Sequence, residues 1–273
     1  MLGKIMKYEW RSTWKVNVLL LGIYLGSIIL LEISGFLPIW EFDNNATTLL
    51  LLTILLLFYG ALLCCSIGVP LFLTIRYYKS MYSNEGYLTH TLPISSNQLF
   101  LGKLFHFCIW KIISDAAILI GAVMCVLTVI RISSGESITI LDIWREVLQA
   151  IIDMPEDASM DGVWSFLALT GMTAVVSVFS LPLKCMGAVD IGQLWKKHKI
   201  AGAILVYLGI YVFQQIVSFV LMIGVSLAAA ETGLSVFRVY NKSVGFVLVT
   251  EIIISVVMAV SSELIIKCKV NLD

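Results

Sequence analysis

Long, almost uninterrupted blocks of apolar residues alternate with short polar stretches along this chain. Six such blocks stand out, at about 16–37, 48–75, 104–130, 163–186, 200–229 and 244–266. Each meets or exceeds the ~20 apolar residues that a helix needs to cross a bilayer core about 30 Å thick. The pattern predicts an all-α, polytopic membrane protein: six transmembrane helices in a single transmembrane domain over residues 1–273. The second block is long enough to protrude from the core, or to tilt and bend at Pro70. Pro182 is expected to kink or fray the end of the fourth. Three stretches outside the blocks carry a pattern of their own, at 1–15, 76–103 and 132–162.

Composition agrees with a lipid-exposed chain. Hydrophobic residues make up 59% and charged residues 13%, about half the charged share of an ordinary soluble domain. The formal net charge of zero conceals a division. Lys4, Lys7, Arg11 and Lys15 precede the first block, Arg76, Lys79 and Lys103 lie between the second and third, and Lys196, Lys197 and Lys199 between the fourth and fifth. Lys184 stands at the end of the fourth block, and Lys267 and Lys269 follow the last. The opposite loops are acidic, with ten carboxylates running from Glu41 to Glu231 against Arg131, Arg145, Arg238 and Lys242. Cytoplasmic loops are enriched in Lys and Arg, so the expected placement is the cell membrane, multi-pass, with both termini cytoplasmic.

A basic start followed by an apolar run also describes a cleaved leader. Here the run is too long, and "SGFLPIWEF" after it has no small-x-small cleavage site. Residues 1–15 read instead as an interfacial helix. At about 100° per residue, Lys4, Lys7, Arg11 and Lys15 fall on one narrow arc, with Leu2, Ile5, Met6 and Trp10 spread around the other side.

Enzyme and metal chemistry find little support. The six cysteines are scattered in or beside the apolar blocks and form no C-x-x-C pattern. His90, His106 and His198 show no H-E-x-x-H spacing, and His106 and Cys108, two apart on a helix, face different ways. The chain has no G-x-x-x-x-G-K-[ST] phosphate loop and no G-x-S-x-G elbow. Nor does it have a basic, aromatic surface outside the membrane to hold nucleic acid. It is read as not an enzyme, and any ATP that drives it must be hydrolysed on another chain.

A few polar residues interrupt the apolar blocks. Lys111 and Asp115 are four apart, so they stack on one helix face and can neutralise each other, either to fix packing or to line a substrate path. Glu251 lies about two turns into the sixth block with no charged neighbour at helical spacing. A charge at bilayer centre costs about 2.5–3.5 kcal/mol on insertion scales, so Glu251 needs a partner such as Gln214 or Gln215 from the fifth block. Glu251, Gln214, Gln215, Lys111 and Asp115 are therefore the candidates for a substrate path, with a structural role as the alternative. Small residues such as Gly22, Gly26, Gly60, Gly68 and Gly171 mark faces where helices can approach closely. In the 132–162 stretch, Leu141, Trp144, Leu148 and Ile151 form one helical stripe, expected to lie on the outer membrane face.

The stretch "NEGYLTHTLPIS" carries more apolar residues than a plain connection needs. Asn84 or Ser83 can cap a short helix holding Tyr87, Leu88 and Leu92, stopped by Pro93, and Ser95 with Gln98 forms a capping box for the next span. Such a helix either folds back on the ends of its own spans or docks in the groove of another protein.

The order of a basic amphipathic N-terminal helix, two spans, "RYYKSMYSNEGYLTHTLPIS" and then "LGKL" resembles the membrane subunits of ABC-2-type transporters, especially small permeases of Gram-positive bacteria. The resemblance covers the whole topology, and its specific part is "EGYLTHTLP". It implies that 76–103 is a coupling loop, with Asn84, Glu85, Tyr87, Leu88, Thr89 and Leu92 docking a separate nucleotide-binding ATPase subunit. It also implies a second permease copy, as a homodimer or a sister permease. ATP and Mg would sit on the partner subunit, with no cofactor on this chain. The link "AAAETGLSVFRVYNKS" is too short for the large re-entrant hairpin of many polysaccharide and lipid exporters. In size and loop plan the chain is most similar to exporters of phenol-soluble modulins and antimicrobial peptides, which implies export of hydrophobic or amphipathic peptides. The alternatives are a proton-coupled secondary transporter and a non-transporting membrane immunity or sensor subunit.

Overall fold

Apolar side chains offer no partners to the backbone, so each block pairs its N–H and C=O groups within itself, and helix is the result. The computed structural model describes residues 2–37, 45–83, 85–86, 95–134, 141–142, 145, 149, 160–195, 197–232 and 236–268. They form α1 (Leu2–Phe36), α2 (Asn45–Tyr82), α3 (Ser96–Ser134), α4 (Met160–Gly192), α5 (Lys199–Thr232) and α6 (Val236–Cys268). All six are long and apolar enough to cross a membrane. With 33 to 39 residues each, they reach about 50–58 Å at ~1.5 Å per residue, well beyond the ~30 Å of a hydrocarbon core.

The helices therefore run past the apolar blocks. α1 is continuous from Leu2, so the stretch expected as a separate interfacial helix passes into the first block without a break. Lys4, Lys7, Arg11 and Lys15 are all exposed along it. On the opposite side Glu9, Thr13 and Asn17 are buried, and Thr13 donates its hydroxyl to the Glu9 carbonyl at 2.9 Å. α2 continues to Tyr82 and α3 begins at Ser96, so helix occupies both ends of the 76–103 stretch. Ser95 caps α3: its Oγ accepts the Gln98 N–H at 3.4 Å and its carbonyl accepts the Leu99 N–H at 3.1 Å. α4 runs on as helix past Pro182 to Gly192 rather than ending there. In the 132–162 stretch Leu141 is helical and exposed, while Trp144, Leu148 and Ile151 lie outside the described residues.

The chain divides into two compact units. The first comprises Lys7–Leu73 and Ile109–Asp153. In it α1 and α3 run parallel, because their contacts advance together. Trp10 stacks on Trp110 with centroids 4.6 Å apart, Tyr24 donates to the Ile118 carbonyl at 3.3 Å, and Thr128 donates to Glu32 at 2.6 Å. α2 is antiparallel to both, with Phe58 beside Tyr24 and Cys65 3.5 Å from the Ser114 hydroxyl. Tyr24, Leu31, Phe58, Cys65 and Val69 are almost completely buried. At Gly121 the bare backbone receives the Tyr24 ring, and a Cβ would collide with it. In lipid, where burial of apolar area gives little, such van der Waals fit is what holds helices together. By contrast Gly22, Gly26, Gly60 and Gly171, expected to mark close helix approach, face open space.

The second unit comprises Met1–Met6, Thr74–Cys108 and Met154–Asp273. Here α4 and α6 run parallel: Asn241 donates to Ser165 at 2.7 Å, Phe166 meets Tyr240 at 5.0 Å between centroids, and Lys184 pairs with Glu251. α5 is antiparallel to them, with Gln214 beside Lys184 and Ala203 against the backbone of Gly192. The end of α2 is fastened to α4, the start of α3 to α6, and the two to each other. Tyr77 and Tyr82 both donate to Asp190 Oδ1, at 2.9 and 2.7 Å. Lys103 donates to Ser80 at 2.5 Å, and Asn97 donates to Glu263 at 3.0 Å.

Candidate functional site

Glu251 lies in the middle of α6, among Thr250, Ile252, Ile253 and Ile254. An isolated carboxylate there would be costly, and two other helices supply it with donors. α4 contributes Ser180 and Lys184, four residues apart and so on one helix face on either side of Pro182. α5 contributes Gln214. Glu251 Oε1 accepts from Gln214 Nε2 at 2.9 Å and from Lys184 Nζ at 3.1 Å. Oε2 accepts from Lys184 Nζ at 3.0 Å and from the Ser180 hydroxyl. The third Lys184 N–H reaches Gln214 Oε1 at 3.2 Å. The side chains of Lys184 and Glu251 are only 11% and 26% exposed.

Counting donors and acceptors explains the arrangement. An ammonium has three donors and no acceptor, and Lys184 has three acceptors within reach. Each carboxylate oxygen takes two donors. The cluster is net neutral and its charged groups are saturated, which is the condition under which a buried ion pair is tolerated. It lines a cavity of about 290 Å³, whose walls also include Tyr207, Tyr211, Gln215 and Ser218 of α5, with Leu181, Ile210 and Val247. That volume is at the small end of known ligand sites. The chemistry on offer is hydrogen bonding to a bound group beside an apolar wall.

Of the residues expected to line a substrate path, Glu251, Gln214 and Gln215 come together here. Lys111 and Asp115 do not join them. Lys111 Nζ donates to both Asp115 carboxylate oxygens within α3, in the first unit. Sequence reasoning missed Lys184 and Ser180. In the sequence Lys184 stands out only as a basic charge at the end of a span, and the available signal is its i, i+4 spacing from Ser180. Of the residues expected to dock a partner, Glu85 forms an ion pair with Arg76, Nη1 to Oε2 at 2.9 Å. Beside it Gly86 donates its N–H to the Ser83 carbonyl at 2.7 Å, in a turn so close to Met81 that a Cβ would strike that residue's backbone. Asn84, Tyr87, Leu88, Thr89 and Leu92 lie outside the described residues. Comparison with protein-family models, with curated proteins and with solved structures gives no match to this chain.

Proposed function

We propose that this chain is the transmembrane permease subunit of an ATP-driven ABC exporter that moves hydrophobic or amphipathic peptides out of the cell. In this reading both termini are cytoplasmic, the basic face of α1 lies at the headgroup boundary, and residues 84–94 form the coupling helix seated on a separate ATPase subunit. A second permease copy completes the pathway. One observation carries the reading. The helix ends that bracket residues 84–94 belong to the same compact unit as the Lys184–Glu251 cavity, are bonded to its helices through Asp190 and Glu263, and are bonded to each other through Ser80 and Lys103. A push on that segment is therefore delivered to α4 and α6 through fixed side-chain bonds. Packed elements with two discrete arrangements are the usual means by which motion passes between sites, and the reading assigns that role to these contacts.

The test is purification of the tagged chain from its native membrane in mild detergent, with identification of co-purifying proteins and an assay of ATP hydrolysis. The expected result is a stoichiometric ATPase subunit, lost in Leu88→Asp because an unpaired charge in an apolar groove costs about 3–5 kcal/mol. Full assembly and transport by that variant would overturn the coupling-helix assignment. The Lys184–Glu251 pair favours one second reading, a proton-coupled carrier, since carriers place ionisable groups at mid-membrane. A chain that purifies alone and inert would turn the choice toward it.

A further inference from the structure

The α4–α5–α6 cavity shows a ligand almost no free charge. All three N–H bonds of Lys184 are committed, and both oxygens of Glu251 accept two donors each. What remains lies on α5. Tyr207, Tyr211, Gln215 and Ser218 recur every three or four residues on the cavity side of that helix. Among the described residues, no hydrogen-bond partner engages Tyr211, Gln215 or Ser218. The stripe is about 16 Å long at ~1.5 Å per residue, and it supplies neutral donors and acceptors on a helix that is otherwise apolar enough to cross a membrane. Leu181, Ile210 and Val247 provide the apolar walls beside it.

We infer that this cavity is a binding site for the uncharged backbone of a hydrophobic peptide, about four or five extended residues long at ~3.3–3.6 Å per residue. The peptide's amides pair with the α5 stripe, and its side chains rest on Leu181, Ile210 and Val247. The inference deepens the permease reading and rests on it for the class of substrate. The physical need is specific: hydrocarbon offers no partner to an unpaired peptide N–H or C=O, whereas the stripe offers several in a row. A phosphate-bearing lipid headgroup is a poor fit, because it requires an uncommitted cation and Lys184 has none of its donors free.

The test uses the full chain in nanodiscs and an alternating Leu–Gly peptide, acetylated and amidated, carrying an environment-sensitive dye. Saturable binding is expected. Gln215→Leu and Tyr211→Phe should each weaken it about threefold, the usual worth of one hydrogen bond between spanning helices, and together about tenfold. Phe213→Leu, outside the cavity, should leave it unchanged. A second measurement needs no variant: the same peptide with N-methylated amides, which lacks N–H donors, should bind the wild-type chain about tenfold more weakly. Equal binding of the methylated peptide, or displacement of the probe by phosphatidylglycerol at comparable concentration, overturns the inference. The outcome separates from the permease question. An ATPase that co-purifies while peptide binding ignores the stripe overturns only this site, and stripe-dependent binding by a chain with no ATPase partner overturns only the ABC reading.

Discussion

Among the described residues two ion pairs join parallel helices, Glu32 with Arg131 and Lys184 with Glu251, at 3.3 and 3.0 Å. Their bonds are alike and their positions are not. Arg131 lies in the last turn of α3, under the Phe36 ring at 4.1 Å, and Glu32 is one turn from the end of α1. Both pairs are largely buried, with Glu32 15% and Arg131 18% exposed, but a charge near a helix end costs less than one at the centre of a span, and the end pair acts as a fastener. Glu251 sits in the middle of α6, where a charge costs about 2.5–3.5 kcal/mol on insertion scales. Leu or Met in both places would hold α4 to α6 as well or better. The difference teaches that an expensive pair beside a cavity calls for an explanation other than packing, and a cheap pair at a helix end does not.

The comparison is broken most directly at Glu251. Glu251→Ala leaves Lys184 buried without its counter-charge and should lower stability by about 3–5 kcal/mol, with most of that recovered in Glu251→Ala/Lys184→Met. Thermal unfolding of the purified chain in detergent measures both, and a double variant no better than the single would mean that the pair contributes by shape rather than by charge. In the first unit, where packing does the work, the largest loss should come from overfilling. Gly121→Val drives a side chain into the Tyr24 ring and should cost about 1–3 kcal/mol. Glu32→Ala is expected to cost about 1–2 kcal/mol, between the limits for exposed and buried pairs. If it matched Glu251→Ala, the distinction between the two pairs would collapse. Replacing Lys111 and Asp115 together by Met and Leu should change stability by under about 1 kcal/mol, since the pair closes on itself within one helix.

These expectations follow how much of the molecule could be read from its residues. Helices were legible because each apolar block exceeds the length of a span, and local pairs such as Lys111–Asp115 follow from spacing alone. Glu251 announced itself by having no local partner, and Gln214 was the nearest polar candidate on another block. Lys184 was not legible. Pro182 suggested that the fourth helix frays there, and only the parallel register of α4 and α6, a contact 67 residues apart in sequence, brings the ammonium to the carboxylate. The seams were hidden for a similar reason. Glycine spacing singled out Gly22 and Gly26, whereas the close approach occurs at Gly121, because it depends on which large side chain of another helix arrives opposite.

The saturated cluster also has a consequence for synthesis. Its members leave the ribosome in the order Ser180, Lys184, Gln214, Glu251, so the cation is made first and its counter-ion last. At about 5–20 residues per second, the 67 residues separating Lys184 from Glu251 take roughly 3–13 s to appear. Over that interval Lys184 lacks the carboxylate with which it pairs in the folded chain. The sixth helix is thus the one that completes the cluster on α4, after every other member is already in place.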